Sequence, residues 1–234
     1  MRTLIVTGTG TGVGKTVVTA AVAALALAAG ERVAVLKPAQ TGVAPGGPGD
    51  LADVVRLAGD VAALELARFP DPLAPATAAR RAGAAPVTVA MVVDAVRALD
   101  ADGHDLVLVE GAGGLLVRLN DRPETLADVA LALDAPVVLV ASAGLGVLNT
   151  AALSAEALAH RGVALAGTVV GAYPPEPDLA ARSNLVDLPA VTGAPLLGVL
   201  PAGIGTADRT AFGIRARCGL GPVLGGQWSP RPGG

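Results

Sequence analysis

The sequence predicts an α/β fold, in which a doubly wound, mostly parallel sheet carries helices on both faces. Short aliphatic segments alternate with longer helical segments along the chain, which is typical of a parallel sheet that is covered on both sides. Hydrophobic residues make up 52% of the chain but aromatic residues only 2%, so we expect a core of Ala, Val and Leu. Neither an internal repeat nor a change of composition divides the sequence, and we therefore predict one domain over residues 1–218.

Strands and helices are expected to alternate from the N-terminus onward. The predicted strands are short buried aliphatic runs: residues 3–7, 32–37, 105–110, 136–141, 164–170 and 196–200. The predicted helices are the segments between them: residues 15–29, 50–67, 88–101, 125–133, 147–160 and 177–192. Thr88 and Thr125 each stand just before an apolar periodic run and are candidate N-caps.

Three segments rich in glycine or proline are predicted to lie outside these elements. Residues 42–49 (GVAPGGPG) should form a mobile loop, and residues 71–87 contain Pro72, Pro75 and Pro86 and should form another. The last stretch, 219–234, is also rich in Gly and Pro, and we expect it to be a disordered tail.

The net charge, the cysteine content and the apolar segments limit the partners and the cellular compartment that we expect for this protein. The formal net charge is −3 and no basic cluster stands out, so a nucleic-acid partner is not expected. The single cysteine, Cys218, cannot form an internal disulfide and fits a reducing compartment. The longest apolar stretch, residues 17–29, is shorter than the ~20 residues of a membrane span, and no signal peptide is readable. These features predict a soluble, cytoplasmic protein.

A glycine-rich segment, residues 8–16 (GTGTGVGKT), connects the first predicted strand to the first predicted helix. Backbone amides converge on phosphate oxygens at such a position, where Lys15 can reach the terminal phosphates and the Thr16 hydroxyl can bind Mg²⁺. Counted from Gly8, the motif is one residue longer than the usual spacing, but Gly-Lys-Thr after a strand disfavours a turn without a ligand. We predict a P-loop NTPase-like site with these nucleotide contacts: Gly12, Val13, Gly14, Lys15, Thr16 and Val17.

The use of lysine points to a second site residue. The only lysines are Lys15 and Lys37, whereas the other 15 of the 17 basic residues are arginine. An ammonium is a compact charge with a donor geometry unlike that of a guanidinium, so a selective use of lysine indicates a need for it, although chance explains a single position as well. Lys37 ends the second predicted strand, and it should therefore project from the same edge of the sheet as the phosphate loop.

Acidic residues at this edge are candidate metal ligands. Glu110 ends an aliphatic strand and is followed by glycines at 111, 113 and 114, which favour close approach of a ligand over an ordinary solvated strand end. Asp50 and Asp53 begin a predicted helix, where an acidic residue serves equally well as a cap. For Asp50 the sequence leaves both interpretations open, and for Asp53 it leaves open whether it assists Asp50.

A second glycine-rich turn precedes the helix at 147–160. Residues 142–146 (SAGLG) open that helix and could bind a carboxylate through backbone amides, with Asn149 in the first turn. A helix start without a ligand explains the residues equally well.

Taken together, these segments resemble the dethiobiotin synthase family. The resemblance rests on G-T-x-T-x-V-G-K-T, K-P-x-x-[ST]-G, E-G-A-G-G, G-x-x-N, L-A-G and P-L-L-G-x-x-P motifs in the family's order, at residues 8–16, 37–42, 110–114, 146–149, 165–167 and 195–201. It implies a homodimer that uses ATP, Mg²⁺ and CO₂ to close a ureido ring on 7,8-diaminopelargonic acid, through a carbamate and a carbamic-phosphoric anhydride.

The resemblance also implies a role for each matching residue. The nucleotide and metal positions fall on Lys15, Thr16, Asp50 and Glu110. The carbamate and transferred phosphate fall on Thr11, Lys15, Lys37 and Thr41. The substrate, with its carboxylate held across the dimer interface, falls on Thr41, Gly144, Leu145, Gly146, Leu148 and Asn149.

One position departs from the family pattern. Where the family carries an asparagine whose amide reads adenine, this chain has Gly171, so only backbone groups near Gly171 or Pro201 are left to contact the base. A site without such side-chain groups rejects other bases weakly. We therefore expect ATP to be used and other nucleoside triphosphates to substitute for it.

Two other functions fit the sequence less well. A partitioning-type ATPase would carry a signature lysine at residue 10, where this chain has Gly10. An amidotransferase-type synthase would need a glutaminase module with a nucleophilic cysteine, and the chain offers only Cys218.

Overall fold

The computed structural model describes residues 1–230, and this part of the chain alternates between strands and helices. The strands are β1 Arg2–Gly8, β2 Val33–Thr41, β3 Ala62–Phe69, β4 Leu106–Gly114, β5 Val137–Ala141, β6 Leu165–Tyr173 and β7 Leu196–Pro201. The α-helices are α1 Lys15–Ala28, α2 Asp50–Ala58, α3 Pro75–Ala82, α4 Val89–Ala101, α5 Leu126–Ala132, α6 Val147–Ala159, α7 Leu179–Thr192 and α8 Arg209–Gly219. Two short 3₁₀ helices cover Ile204–Thr206 and Pro222–Leu224.

The seven strands form one parallel sheet in the order β3-β2-β4-β1-β5-β6-β7. The predicted doubly wound parallel sheet is thereby confirmed. Because β1 lies between β4 and β5, the strand order reverses beside it, and ligands bind at the carboxyl ends of the strands at such a point. The phosphate loop follows β1 directly.

Aliphatic side chains pack on both faces of the sheet. Ile5 and Val6 are adjacent in β1 and fully buried, yet they belong to separate hydrophobic clusters on opposite faces. One cluster includes α1, α2 and α8, and the other includes α4 and α5. The core is built from Ala, Val and Leu as predicted, with Phe69 and Phe212 as its buried aromatic residues in the described chain.

The prediction of a helix over 50–67 was wrong in its second half. Helix α2 ends at Ala58, Gly59 follows with φ 113°, and residues 62–69 form the edge strand β3. The sequence of β3 is poor in β-branched residues, and its pairing with β2 overrides the low intrinsic preference for a strand. The predicted loop 71–87 also contains helix α3. Pro75 is in the first turn of this helix, where proline is tolerated.

The expected disordered tail differs from the structure over residues 219–230. Leu220 is fully buried, Leu224 is nearly so, and the amide of Trp228 donates to the Leu220 carbonyl over 2.8 Å. The glycines and prolines here shape a tight path around these leucines. Residues 231–234 lie outside the described residues. Within residues 1–230, no helix is both long and apolar enough to cross a membrane.

We expect Leu220→Ala to lower the free energy of unfolding by about 2–5 kcal/mol, because it leaves a cavity at a fully buried position. Val223 is 70% exposed in the same segment, so Val223→Ala should change this free energy by less than ~0.5 kcal/mol. Urea unfolding of both variants measures the contrast. Equal small effects would mean that this segment does not pack on the sheet in solution.

Candidate active site

The phosphate loop is shaped by glycines and packs directly on the end of β6. Gly12 and Gly14 have φ of 74° and 95°, which glycine adopts without strain. A Cβ on Gly14 would lie 2.7 Å from the Gly171 carbonyl oxygen, so no larger residue fits there. The Lys15 ammonium donates to the Gly10 carbonyl over 2.8 Å, which bends this side chain back over the loop.

A buried charge cluster lies beside the loop. The Lys37 ammonium is 2.8 Å from Glu110 Oε1 and 2.5 Å from Asp50 Oδ2, and it also donates to the Gly111 carbonyl over 3.2 Å. Lys37 and Glu110 are 2% and 1% exposed. The Thr16 hydroxyl donates to the same Glu110 Oε1 over 2.9 Å, so Glu110 joins the phosphate loop to Lys37.

Both lysines have shifted pKa values with identifiable causes. Burial by itself would lower the pKa of Lys37, but the carboxylates of Glu110 and Asp50 outweigh it and raise this pKa above its ordinary value. Burial and, after it, repulsion from Lys37 lower the pKa of Lys15, with Glu110 and Asp50 acting in the opposite direction. Lys37 therefore remains an ammonium at neutral pH.

A cavity of about 670 Å³ opens over this cluster at the carboxyl ends of the strands. Many of the predicted site residues line it: Thr11, Gly12, Gly14, Lys15, Thr16, Val17, Lys37, Thr41, Asp50 and Glu110. Val13 is buried in the core behind the loop instead. A larger groove of about 1310 Å³ lies at the amino ends of the strands, remote from these groups.

The oxygen atoms around Glu110 fit a magnesium ion. Its second carboxylate oxygen, Oε2, is buried and has no hydrogen-bond partner within residues 1–230. Mg²⁺ is bound in proteins by one or two carboxylates together with phosphate and water oxygens. Glu110, Asp50 and the Thr16 hydroxyl supply such a set.

Gln40 positions Asp50, a role that the sequence analysis did not assign. Its side-chain oxygen accepts from the Asp50 amide over 2.8 Å and so caps α2, which has no side-chain cap at Gly49. Arg68 then holds the loop 42–49, since it donates to the Gly47 carbonyl over 2.6 Å while paired with Glu65. A buried glutamine in a strand was the available signal. The loop itself is confirmed, and its mobility stays a prediction.

Within one chain, the residues predicted to bind the substrate carboxylate do not line this cavity. Gly144 to Gly146 form a turn before α6, Leu145 is 93% exposed, and Asn149 is exposed in the first turn of the helix. None of them lines the cavity.

The residues predicted near the base also lie outside the cavity. A Cβ on Gly171 would be 2.2 Å from the Val13 carbonyl oxygen, so the asparagine of the family pattern does not fit beside this loop. Pro201 is exposed at the end of β7 and pairs with Tyr173 of β6.

Comparison with known proteins places the chain among nucleotide-dependent enzymes. A family model described as an AAA domain matches residues 2–208. The ATP-dependent dethiobiotin synthetase BioD of Saccharopolyspora erythraea is 68% identical over 229 residues, which are 98% of this chain and 100% of the relative. The proteins of the same name from Streptomyces avermitilis and Rhodococcus jostii are 61% and 63% identical, covering 97% and 92% of this chain and 95% and 93% of the relatives.

Solved structures share the fold at low sequence identity. The MinC:MinD cell division complex of Aquifex aeolicus matches with a TM-score of 0.61 at 13% identity, over 100% of both chains. The cell division ATPase MinD of Pyrococcus furiosus matches with a TM-score of 0.56 at 19% identity, over 92% of this chain and 90% of that chain. These similarities support the fold alone.

The buried charge cluster yields a stability prediction. Lys37→Met leaves Glu110 buried without its closest cation and should lower the free energy of unfolding by about 3–5 kcal/mol. The double variant Lys37→Met/Glu110→Gln should lose less than the sum of the two single variants, because each single change strands the other group.

Urea unfolding of all four proteins in this cycle measures the coupling. Arg97→Met is the matched control, since Arg97 and Asp94 form an ion pair in which both side chains are more than 70% exposed, and stability should not change measurably. Strictly additive effects of the Lys37 and Glu110 changes would contradict the arrangement described above.

Proposed function

The chain belongs to the ATP-dependent dethiobiotin synthetase family, and on that premise we propose that the charge cluster around Lys37 drives ring closure of 7,8-diaminopelargonic acid with CO₂. ATP is the co-substrate, and dethiobiotin, ADP and phosphate are the products. The observation that carries this proposal is the convergence of Lys15, Lys37, Asp50 and Glu110 in one cavity beside the phosphate loop.

The proposed reaction has three bond-forming steps. One substrate amine adds to CO₂ and loses a proton, which gives a carbamate. A carbamate oxygen attacks the γ-phosphorus of ATP, and ADP leaves. The second amine then attacks the carbonyl carbon of the mixed anhydride and loses a proton, phosphate departs with the bridging oxygen, and the ureido ring is closed.

The cavity residues have roles that follow from charge and position. Lys15 and Lys37 are two ammonium groups that can neutralise the carbamate and the γ-phosphate, two anions that repel each other before the transfer step. Thr11 and Thr41 line the same cavity and add hydroxyl donors that orient the carbamate. Phosphoryl transfer depends mainly on such positioning and charge neutralisation.

Mg²⁺ would be held by the Thr16 hydroxyl with the carboxylates of Asp50 and Glu110. When bound, it neutralises phosphate oxygens of the nucleotide. Gln40 contributes indirectly, because its bond to the Asp50 amide fixes the start of α2. The same carboxylates also hold Lys37, so metal and ammonium share one pair of acidic groups.

The functional unit is proposed to be a homodimer formed through α6 and α7. Asn149 and Leu153 lie four residues apart, on one face of α6, and Leu153 is 58% exposed. Leu179 and Val186 are exposed on the neighbouring helix α7. We propose that a second copy covers these apolar side chains and that the turn before α6 then lies against the partner's cavity, where it binds the substrate carboxylate.

We further propose that the protein works in the cytoplasm. Its one cysteine, Cys218, is a free and exposed thiol, which suits a reducing compartment.

The function is tested by measuring phosphate release from ATP in the presence of diaminopelargonate, bicarbonate and Mg²⁺, with the product identified by mass. We expect release to require all four components and to yield dethiobiotin. ATP hydrolysis at the same rate without the diamine would refute the proposal.

The oligomeric state, measured by sedimentation, should be a dimer that Leu153→Asp dissociates.

Lys37→Arg should fold normally and lose about a hundredfold or more in kcat, with nucleotide binding largely kept. A guanidinium retains the charge but cannot place one compact donor between two carboxylates and the reacting anions. Steady-state kinetics and nucleotide titration separate the two effects. Near-normal turnover of the purified variant would mean that Lys37 has no role in the chemistry.

Cytidine, guanosine and uridine triphosphates should support turnover within about a hundredfold of ATP in kcat/KM. The absence of a side chain at Gly171, where the phosphate loop leaves no room for one, supports this expectation. Triphosphate and metal contacts are common to all four nucleotides. A preference for ATP above about a thousandfold would show that backbone groups read the base.

A further inference from the structure

We propose that Asn184 is a positioning residue that aims the backbone amides of the turn before α6 at the substrate carboxylate. The inference rests on the proposed function, in which that turn binds the carboxylate of diaminopelargonate. Asn184 lies in the middle of α7, is 5% exposed and lies outside every motif of the sequence analysis.

The contacts of Asn184 are concentrated on this turn. Its side-chain nitrogen donates to the Ala143 carbonyl over 2.8 Å and to the Gly144 carbonyl over 3.0 Å. Both hydrogens of the amide group are thus used on two successive peptide units. An apolar residue in place of this buried amide would take its donor away from both carbonyls.

Because peptide bonds are planar, these two hydrogen bonds also fix the direction in which two backbone N–H groups point. In a trans peptide the C=O and N–H groups point to opposite sides. With the carbonyls of Ala143 and Gly144 held against α7, the N–H groups of Gly144 and Leu145 must face away from it. Within residues 1–230 the amides of Gly144, Leu145 and Gly146 donate no backbone hydrogen bond.

These free amides directly precede α6, and the last of them belongs to Gly146, the N-cap residue, whose φ is 93°. Outward N–H groups at a helix start form a site for a carboxylate. Without Asn184, the Ala143 carbonyl could rotate toward solvent, and the Gly144 carbonyl would keep only its longer bond from the Val147 amide, at 3.4 Å. The amides would then lose their alignment. The consequence should be weaker binding of the carboxylate, without an effect on nucleotide or diamine chemistry.

The test compares diaminopelargonate with 2,3-diaminononane, the analogue in which a methyl group replaces the carboxylate. Asn184→Leu should lower kcat/KM for diaminopelargonate at least tenfold, mainly through KM, and change kcat/KM for diaminononane less than twofold. The KM for MgATP should stay the same. Asn184→Ser, which keeps one donor and perturbs packing differently, should show the same pattern with a smaller loss.

Thr192→Val is the matched control on the same helix. The Thr192 hydroxyl also contacts two carbonyls, those of Leu188 and Ala194, but at the C-terminal end of α7, away from the turn before α6, so the variant should keep both kcat/KM values. Equal losses on the two substrates, or no loss on either, would overturn the role of Asn184. If the wild-type protein uses both substrates equally well, the carboxylate site of the proposed function itself is wrong.

Discussion

The architecture of the site depends on one buried cation. Lys37 is 2% exposed, and burying an ammonium without partners would be prohibitive. The carboxylates of Glu110 and Asp50 offset this cost and raise its pKa. Because these partners come from β4 and α2, the ammonium can be buried only when β2, β4 and the start of α2 are all in place. Glu110 extends the coupling to Thr16 and thus to the phosphate loop.

The parallel sheet makes this cluster from residues that are far apart in sequence. Strands β2, β4 and β1 are neighbours, and their carboxyl ends meet at one edge. Lys37 and Glu110 were predicted to end their strands, but β2 and β4 run four residues past them, to Thr41 and Gly114. Both side chains nevertheless meet the loop after β1, because the three strands are neighbours in the sheet. The same edge receives Asp50 because Gln40, also in β2, caps α2. One strand thus supplies both the buried cation and the group that orients its partner.

The motif residues could be predicted because each lies in a short segment whose own sequence indicates its chemistry. Lys15 follows β1, whereas Lys37 and Glu110 lie within β2 and β4. Parallel pairing of these strands brings all three to one cavity. Strand β3 was not predictable, since its pairing with β2 overrides a sequence with a weak strand preference. Gln40 and Asn184 could not be predicted either, because their partners are backbone atoms that only the tertiary structure brings near.

We propose that Lys15 and Lys37 hold the carbamate and the γ-phosphate together, so that a carbamate oxygen attacks the γ-phosphorus of ATP. The most direct test is to run the reaction with ¹⁸O-labelled bicarbonate in unlabelled water and to quench it before the label exchanges. The mass of the released phosphate is then measured by mass spectrometry. We predict that each phosphate carries one ¹⁸O atom, because the bridging oxygen of the mixed anhydride leaves with it. Unlabelled phosphate from a reaction that still forms dethiobiotin would contradict this account.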